Sequence, residues 1–565
     1  MRPNSIDEFV ALRDGVPHDA ETRRIYGLLR RPLDVSMAHA KRMTEQLASA
    51  HGTQTLWAEQ AAALREIKLY GGVICGLGTG EGKTLVSLLA PTLLAHIPRP
   101  LLLTPSASIS SGKVLRAYEA AKEHWLVRDD IHWLGYGQLS RAAYADYLTT
   151  YNPGMLILDE AHRAGRYDSA ITKRIERWRA LNPRAPIICL SGTLMASRFV
   201  EDIARLCEWS LGAKSPVPRT SAKQTLRNYK LATAGKIPFG VLGDLKAVGR
   251  RYRETPGVVV STGKRAVSAS LYATPVHVDV GPEIVEAFKH LRAGKLPDGS
   301  EVIDPDGHKT WQIATALALG FWRKWEPHPP LEWLHAYRTW AAYCREVIAD
   351  GSNDLDTELR VRNASIHDPD CWPLHEWLRI KPLYNEPKIT VWLTRERLKA
   401  AHAWLKAHPT GLLWTAHPAF GNELARRGGW HFYHQNAKDR NGASVLDHKR
   451  GTAAVVSVAA CSTDLDGMQK IWNTNLYVSP MASGDAHEQS LARTHRHGQE
   501  AAEVHTYYWI ACRENAEALD GAREKESTVS LIENRSRKLL IAEWTEHENK
   551  QRNNVGPQWA GKKRP

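Results

Sequence analysis

From about residue 54 to residue 215, short apolar runs alternate with amphipathic helical stretches. Val73 to Leu77, Pro100 to Thr104, Met155 to Leu158 and Pro186 to Leu190 are each long enough for a strand and too short for a helix. Each ends in a polar or glycine-rich turn. A strand covered on both faces has no reason to alternate, so continuous apolar runs of this length predict a parallel sheet flanked by helices. A second alternation runs through 405–512, with strands expected at Gly411 to Trp414, Ala453 to Val458, Asn475 to Val478 and Val504 to Tyr508. One more strand is expected at Val276 to Val280. The predicted fold class is α/β: two parallel-sheet lobes in tandem, with a helical N-terminal segment and a helical insertion. The expected division is 1–53 for the N-terminal helical segment, 54–215 for the first lobe and 216–269 for the connection. Residues 270–404 begin the second lobe and carry the tryptophan-rich insertion, 405–512 complete it, and 513–565 form a charged helix and basic tail.

Charge narrows the partners. The chain has 75 Lys and Arg against 61 Asp and Glu, a formal net charge of +14. Such an excess favours polyanions, because each neutralised phosphate releases counterions. The seven cysteines form no C-x-x-C pair, which excludes a zinc ribbon and a disulfide framework and predicts reduced thiols in the cytoplasm. The N-terminus has no apolar signal core, and no apolar stretch is long enough for a membrane helix, so no membrane partner is expected. Tryptophan, at 20 residues, outnumbers phenylalanine at 7, which fits either large core anchors or base-stacking surfaces.

Two motifs carry chemistry. Gly78-Thr79-Gly80-Glu81-Gly82-Lys83-Thr84 follows an apolar strand and opens an amphipathic stretch. That is the setting of a phosphate-binding loop, in which glycines let backbone N–H groups close round phosphate and the helix start adds its positive dipole end. Lys83 is expected to reach the β- and γ-phosphates of ATP, and Thr84 to hold Mg²⁺. The strict pattern has glycine where Leu77 stands. Asp159-Glu160-Ala161-His162 closes the strand Met155 to Leu158. Acids at a strand's carboxyl end lie where open α/β sheets bind ligands. Asp159 is expected to hold Mg²⁺ through water, and Glu160 to polarise the attacking water.

The Asp-Glu-Ala-His tetrad resembles the box of superfamily-two helicases, and further matches follow in family order. Leu56-Trp57-Ala58-Glu59-Gln60 looks like the element upstream of the loop, which implies that Gln60 reads adenine. Leu102-Leu103-Thr104-Pro105 resembles the strand and turn that contact one DNA strand. Ser191-Gly192-Thr193 looks like the motif that couples ATP state to movement. Glu488-Gln489-Ser490-Leu491-Ala492-Arg493-Thr494-His495-Arg496-His497-Gly498-Gln499 is similar to the arginine motif of Swi/Snf-type translocases, with its His-Arg-x-Gly-Gln ending. The resemblance covers roughly 54–215 and 405–512 and is greatest to the compact Swi/Snf-like helicases of phages and prophages. It implies two RecA-like lobes, with Arg493 and Arg496 as arginine fingers reaching the γ-phosphoryl group. Ser191, Gly192, Thr193 and Gln489 are then coupling residues. Ala492 departs from the family's glycine. Residues 460–469 carry Asp464 and Asp466 where the family has a glycine-rich segment.

The expected function is therefore an ATP-dependent translocase or helicase on duplex DNA, with ATP and Mg²⁺ as cofactors. A protein loading partner of unassigned kind is also allowed. Two other readings stay open. One is a nucleic-acid-binding scaffold with weak or inactive ATPase, for which the 460–469 segment speaks. The other is a protein translocase, because Thr79 to Thr84 also resembles the loop of the bacterial preprotein-export ATPase. His431 and His434 have ligand-like spacing without an acid or cysteine to complete a metal site. Trp322, Trp325, Trp333 and Trp340 are expected to pack inside the helical insertion. No nuclease constellation is present.

Overall fold

The computed structural model describes residues 20–545 except Thr79, 166–168, Thr193, 195–200, 219–240, 262–266, 351–354, 356 and 462–464. The start of the N-terminal segment, part of the expected connection and the basic tail lie outside the described residues. So do Thr79 and Thr193 of the expected site, and Asp464.

Two units are distinguished. The first comprises Met1–Val267, His487–Ala492 and Ala522–Ile541, and the second Ser268–Ala486, Arg493–Gly521 and Ala542–Pro565. The first unit holds six strands: β1 (Val73–Gly76), β2 (Pro100–Thr104), β3 (His132–Gly135), β4 (Met155–Asp159), β5 (Ile187–Ser191) and β6 (Val258–Val260). They form one parallel sheet in the order β3-β2-β4-β5-β1-β6. Val73, Cys75, Leu102, Met155 and Ile157 point into one core, against the helices Ala58–Tyr70 and Lys83–Leu93. Ile74, Leu101, Leu103, Leu156 and Leu158 point into the other. Both faces are dry, which is why β1, β2, β4 and β5 are apolar up to their carboxyl ends, where Thr104, Asp159 and Ser191 stand. The second core is completed from far along the chain. Val248 and Tyr252 of the helix Val241–Arg253 lie in it beside Val529 and Ile532.

Strand register brings the site together. Gly76 pairs with Ser191 and Asp159 with Leu190, so β1, β4 and β5 end level at the sheet's carboxyl edge. The glycine loop, the acidic pair and Ser191 therefore emerge side by side.

The second unit has β7 (Ser270–His277), β8 (Phe321–Trp325), β9 (Lys388–Trp392), β10 (Gly411–Thr415), β11 (Phe432–Tyr433), β12 (Ala454–Ser457), β13 (Thr474–Tyr477), β14 (Glu503–Ile510) and β15 (Glu543–Trp544). Seven of these form a parallel sheet in the order β11-β12-β10-β13-β14-β7-β15, while β8 and β9 form an antiparallel pair. The protein is thus α/β with two large parallel sheets of six and seven strands, as expected of two RecA-like lobes in tandem. The strand expected at Val276 to Val280 starts earlier, at Ser270, because β7 pairs with β14 along its whole length. Trp322 and Trp325 lie on β8, not on a helix; Trp333 and Trp340 lie on the helix Leu331–Asp350. Trp322, Trp333 and Trp340 are buried, and the Trp333 and Trp377 rings meet edge-on at 5.0 Å. Among the described residues no helix is long and apolar enough to cross a membrane.

Candidate functional site

The loop after β1 turns on glycines in the left-handed region, Gly80 at φ 84° and Gly82 at φ 79°. Gly82 has a second reason to lack a side chain, since a Cβ there would fall 1.9 Å from Gln60 Nε2. Gln60 is buried, accepts the Trp57 N–H at 2.9 Å and donates to the Glu81 carbonyl at 3.5 Å. Its amide thus ties the loop to the preceding helix, and a contact with adenine would exchange those bonds for base edges. Lys83 opens the helix Lys83–Leu93 with only 9% of its surface exposed. Its Nζ donates to the Leu77 and Gly78 carbonyls at 3.2 and 3.3 Å and stands 3.5 Å from Glu160 Oε1.

The acidic pair is held from several sides. Thr104 Oγ1 donates to Asp159 Oδ2 at 3.1 Å, and the Tyr136 hydroxyl donates to the Asp159 carbonyl at 2.9 Å. Glu160 adopts φ 53°, a left-handed conformation uncommon for a residue with a side chain and found mostly where surroundings enforce it. Ser191 Oγ donates to Glu160 Oε2 at 3.2 Å, and His162 Nδ1 lies 2.9 Å from that same Oγ. The Ser191 hydroxyl thus bridges Glu160 and His162. Burial alone would raise the Glu160 carboxyl. Lys83, His162 and Arg163, with the Ser191 hydrogen bond, outweigh it and bring the group down to about 2. Glu160 is therefore an anion throughout the neutral range.

Glu81 lies in the expected loop but plays an unexpected part, and two further participants, Arg535 and Arg537, had no local signal. The Glu81 carboxylate accepts the Gly78 N–H, so an acid occupies a donor that the motif reserves for phosphate. Arg535, buried, comes from the segment after the long helix Arg513–Glu533. A Cβ on Gly78 would lie 2.1 Å from Arg535 Nη2 and 2.9 Å from the Glu81 carboxyl carbon, so both groups crowd one point beside the first loop glycine. Arg535 Nη1 and Arg537 Nη1 donate to the Gly192 carbonyl at 3.4 and 3.3 Å. Arg537 is fully buried, paired with Glu526 and 3.8 Å from Glu533. Burial opposes its charge, but Glu526, Glu488 and Glu533 prevail and raise its proton affinity. Glu488 Oε2 also accepts the Lys538 N–H at 2.6 Å. An arginine this far along a charged C-terminal stretch reads in sequence as solvated surface.

In the arginine motif, Gln489 is half-buried and falls within the first unit, whereas Arg493 and Arg496 belong to the second. Asn475 on β13 anchors the helix Gly484–Thr494 by donating to Thr494 Oγ1 at 2.9 Å. Arg493 donates to the Leu465 carbonyl, and Arg496 pairs with Asp466 at 3.1 Å. Both arginines therefore hold the Leu465–Asp466 stretch. Gln499 caps the turn, donating to the Thr494 and Trp472 carbonyls at 2.8 and 3.1 Å. His431 pairs with Asp439 at 2.8 Å.

The fit for Mg²⁺ rests on donor type. Thr84 and Asp159 offer a hydroxyl and a carboxylate, the hard oxygen donors that this ion takes beside substrate phosphates. No cluster of three or more His, Cys, Asp or Glu suited to a metal occurs among the described residues. An ion completed by phosphate oxygens and water does not require one. The first unit is thus a parallel α/β sheet whose carboxyl edge sets a buried lysine of a glycine loop against an ionised, serine-bound glutamate. Such an arrangement can hold a phosphate chain and orient a water toward it. Comparisons of the chain with protein-family models and with curated proteins found no match.

Proposed function

We propose that the protein is an ATP-driven translocase on double-stranded DNA. The observation that carries this reading is the Lys83–Glu160–Ser191 arrangement, in which one carboxylate faces Lys83 Nζ at 3.5 Å and accepts Ser191 Oγ–H at 3.2 Å. In the proposed reaction Lys83 exchanges its carbonyl partners for phosphate oxygens. Glu160 orients a water and takes its proton as the water oxygen bonds to the γ-phosphorus. The bond from that phosphorus to the bridging oxygen breaks, leaving ADP and inorganic phosphate. Thr84 and Asp159 would hold Mg²⁺, which supplies charge neutralisation on the phosphates. Ser191 connects the catalytic carboxylate to the segment bearing Gly192, which suits it to relay the nucleotide state. Arg493 and Arg496 are assigned the charge on the transferred phosphoryl group. The net charge of +14 supports a nucleic-acid track.

A second reading, a nucleic-acid-binding scaffold with weak ATPase, is favoured by the Arg496–Asp466 pair at 3.1 Å, since a phosphate must displace Asp466 to engage that guanidinium. ATP turnover against a panel of duplex, forked and single-stranded DNA and RNA decides between them. The translocase reading expects strong stimulation by duplex DNA; binding of DNA without any rise in turnover overturns it in favour of the scaffold.

A further inference from the structure

We propose that the first unit carries a second phosphate-binding site, a cleft outside the glycine loop that shares Arg535 with it. The cleft has a volume of about 470 Å³ and is lined by Lys246, Arg250 and Arg253 of the helix Val241–Arg253 and by Ser530, Leu531, Asn534, Arg535 and Ser536. That volume falls within the span of small-ligand pockets, roughly 300–1,000 Å³. Four of its eight lining residues are cationic and none is acidic.

Nearby acids offset this charge only in part. Glu254 is shared between Arg250 at 2.9 Å and Arg30 at 2.6 Å. Glu533 faces the fully buried Arg537 at 3.8 Å. Burial works against the charged form of Arg253, so an anion beside it would relieve a real cost. The remaining walls add donors: the Ser536 hydroxyl and the Asn534 amide stand beside the guanidinium forks, which match phosphate oxygens in pairs.

The walls are fixed. A Cβ on Gly249 would sit 2.6 Å from both the Cα and the carbonyl oxygen of Ile532, so the helix touches the returning chain at a point where only glycine fits. Arg253 Nη1 donates to the Ile532 carbonyl and, at 3.4 Å, to that of Leu531. Ser530 Oγ donates to the Arg535 carbonyl at 2.7 Å, closing the turn that aims Arg535. Asn534 takes the left-handed φ of 52° that this turn needs. The ligand class is a phosphate-bearing anion, either free phosphates or the backbone of a nucleic-acid strand. Because the Arg535 guanidinium also lies against Gly78, occupancy of the cleft is positioned to bear on the loop.

The cleft and the proposed ATPase site can be tested separately. Inorganic pyrophosphate is titrated calorimetrically into the full chain, into Lys83→Ala, and into Lys83→Ala combined with Lys246→Ala or with Arg250→Gln. Two binding events are expected for the wild type and one for Lys83→Ala. That remaining event should weaken at least tenfold in both combined variants. Lys246 is exposed, so its replacement should leave the melting temperature unchanged and exclude a folding artefact. In the Lys83→Ala background, competition by a single-stranded oligonucleotide assigns the site to nucleic-acid backbone, and its failure assigns it to free phosphates. Loss of all pyrophosphate binding in Lys83→Ala overturns the proposal, as does no binding by the wild type or an unchanged remaining event in the combined variants. A single event unaffected by Lys83→Ala but lost with Lys246→Ala would keep the cleft and sink the nucleotide loop instead.

Discussion

Replacing Glu160 by Gln separates charge from shape at the centre of the site. The side chain is 19% exposed and its Oε1 stands 3.5 Å from Lys83 Nζ. At an effective dielectric of about 20, unit charges at that separation attract by roughly 5 kcal/mol before desolvation. The carboxyl is depressed from 4.5 to about 2, a preference for the ionised form of about 3 kcal/mol. The amide keeps the acceptor for Ser191 but gives up this preference, so the variant should lose about 2–3 kcal/mol of stability at pH 7. The pH dependence has a definite sign. The folded-state value lies below the unfolded one, so the stabilisation is complete above the ordinary carboxylate range and is lost as pH falls toward about 2. The gap between wild type and variant, read from urea unfolding at pH 7, 5 and 3.5, should therefore narrow with acid. In parallel, the variant should bind a fluorescent ATP analogue and turn over ATP about 10²–10⁴-fold more slowly. A pH-independent gap, or none, would refute the ion-pair argument. Unchanged turnover would move the catalytic base elsewhere.

Lys83→Ala should abolish ATP turnover and nucleotide binding while the protein still folds; near wild-type hydrolysis would refute the loop assignment. Because Lys83 is buried, unlike the exposed position its loop suggests, this variant should also melt lower and leave Glu160 without its main counter-charge. Arg496→Ala should keep most ATP affinity and lose DNA-stimulated hydrolysis by about 10³ or more. A steep loss of DNA binding with a flattened salt slope and intact basal turnover would make it a DNA-contact residue instead. Arg537→Ala leaves Glu526 and Glu533 buried without their guanidinium and should cost about 3–5 kcal/mol, seen by calorimetry as a lowered melting temperature; an unchanged one would refute that.

Legibility followed burial. β1, β2, β4 and β5 sit inside the first sheet, covered on both faces, and their unbroken apolar runs made them visible. β3 is an edge strand that begins with an exposed His132, and β6 is three valines inside a stretch rich in Lys, Arg, Gly and Pro. Neither offers a long enough pattern, and both depend on a neighbour to be strands at all. β8 and β9 carry Arg323, Lys324 and Lys388, so the tryptophans between those charges resembled a helix face. At the site, Lys83, Asp159, Glu160 and Ser191 follow strand ends directly, and the parallel register turns sequence order into proximity. Arg535 and Arg537 reach the same edge through a segment more than 300 residues from Gly192, a distance over which no local pattern speaks.

That return of the chain has a consequence for biosynthesis. The first sheet's last strand is complete at Val260, yet Val529, Ile532 and the buried Arg537 come from more than 260 residues further along the chain. At translation rates of roughly 5–20 residues per second, the early half waits on the order of a quarter-minute to a minute for the pieces that seal it. Throughout that interval the face that receives Ile532 is open to other apolar surfaces. The nascent protein is therefore most exposed to misassembly and to holdase chaperones before the helix Arg513–Glu533 leaves the ribosome, and a nonsense mutation ahead of that helix would harm the first unit.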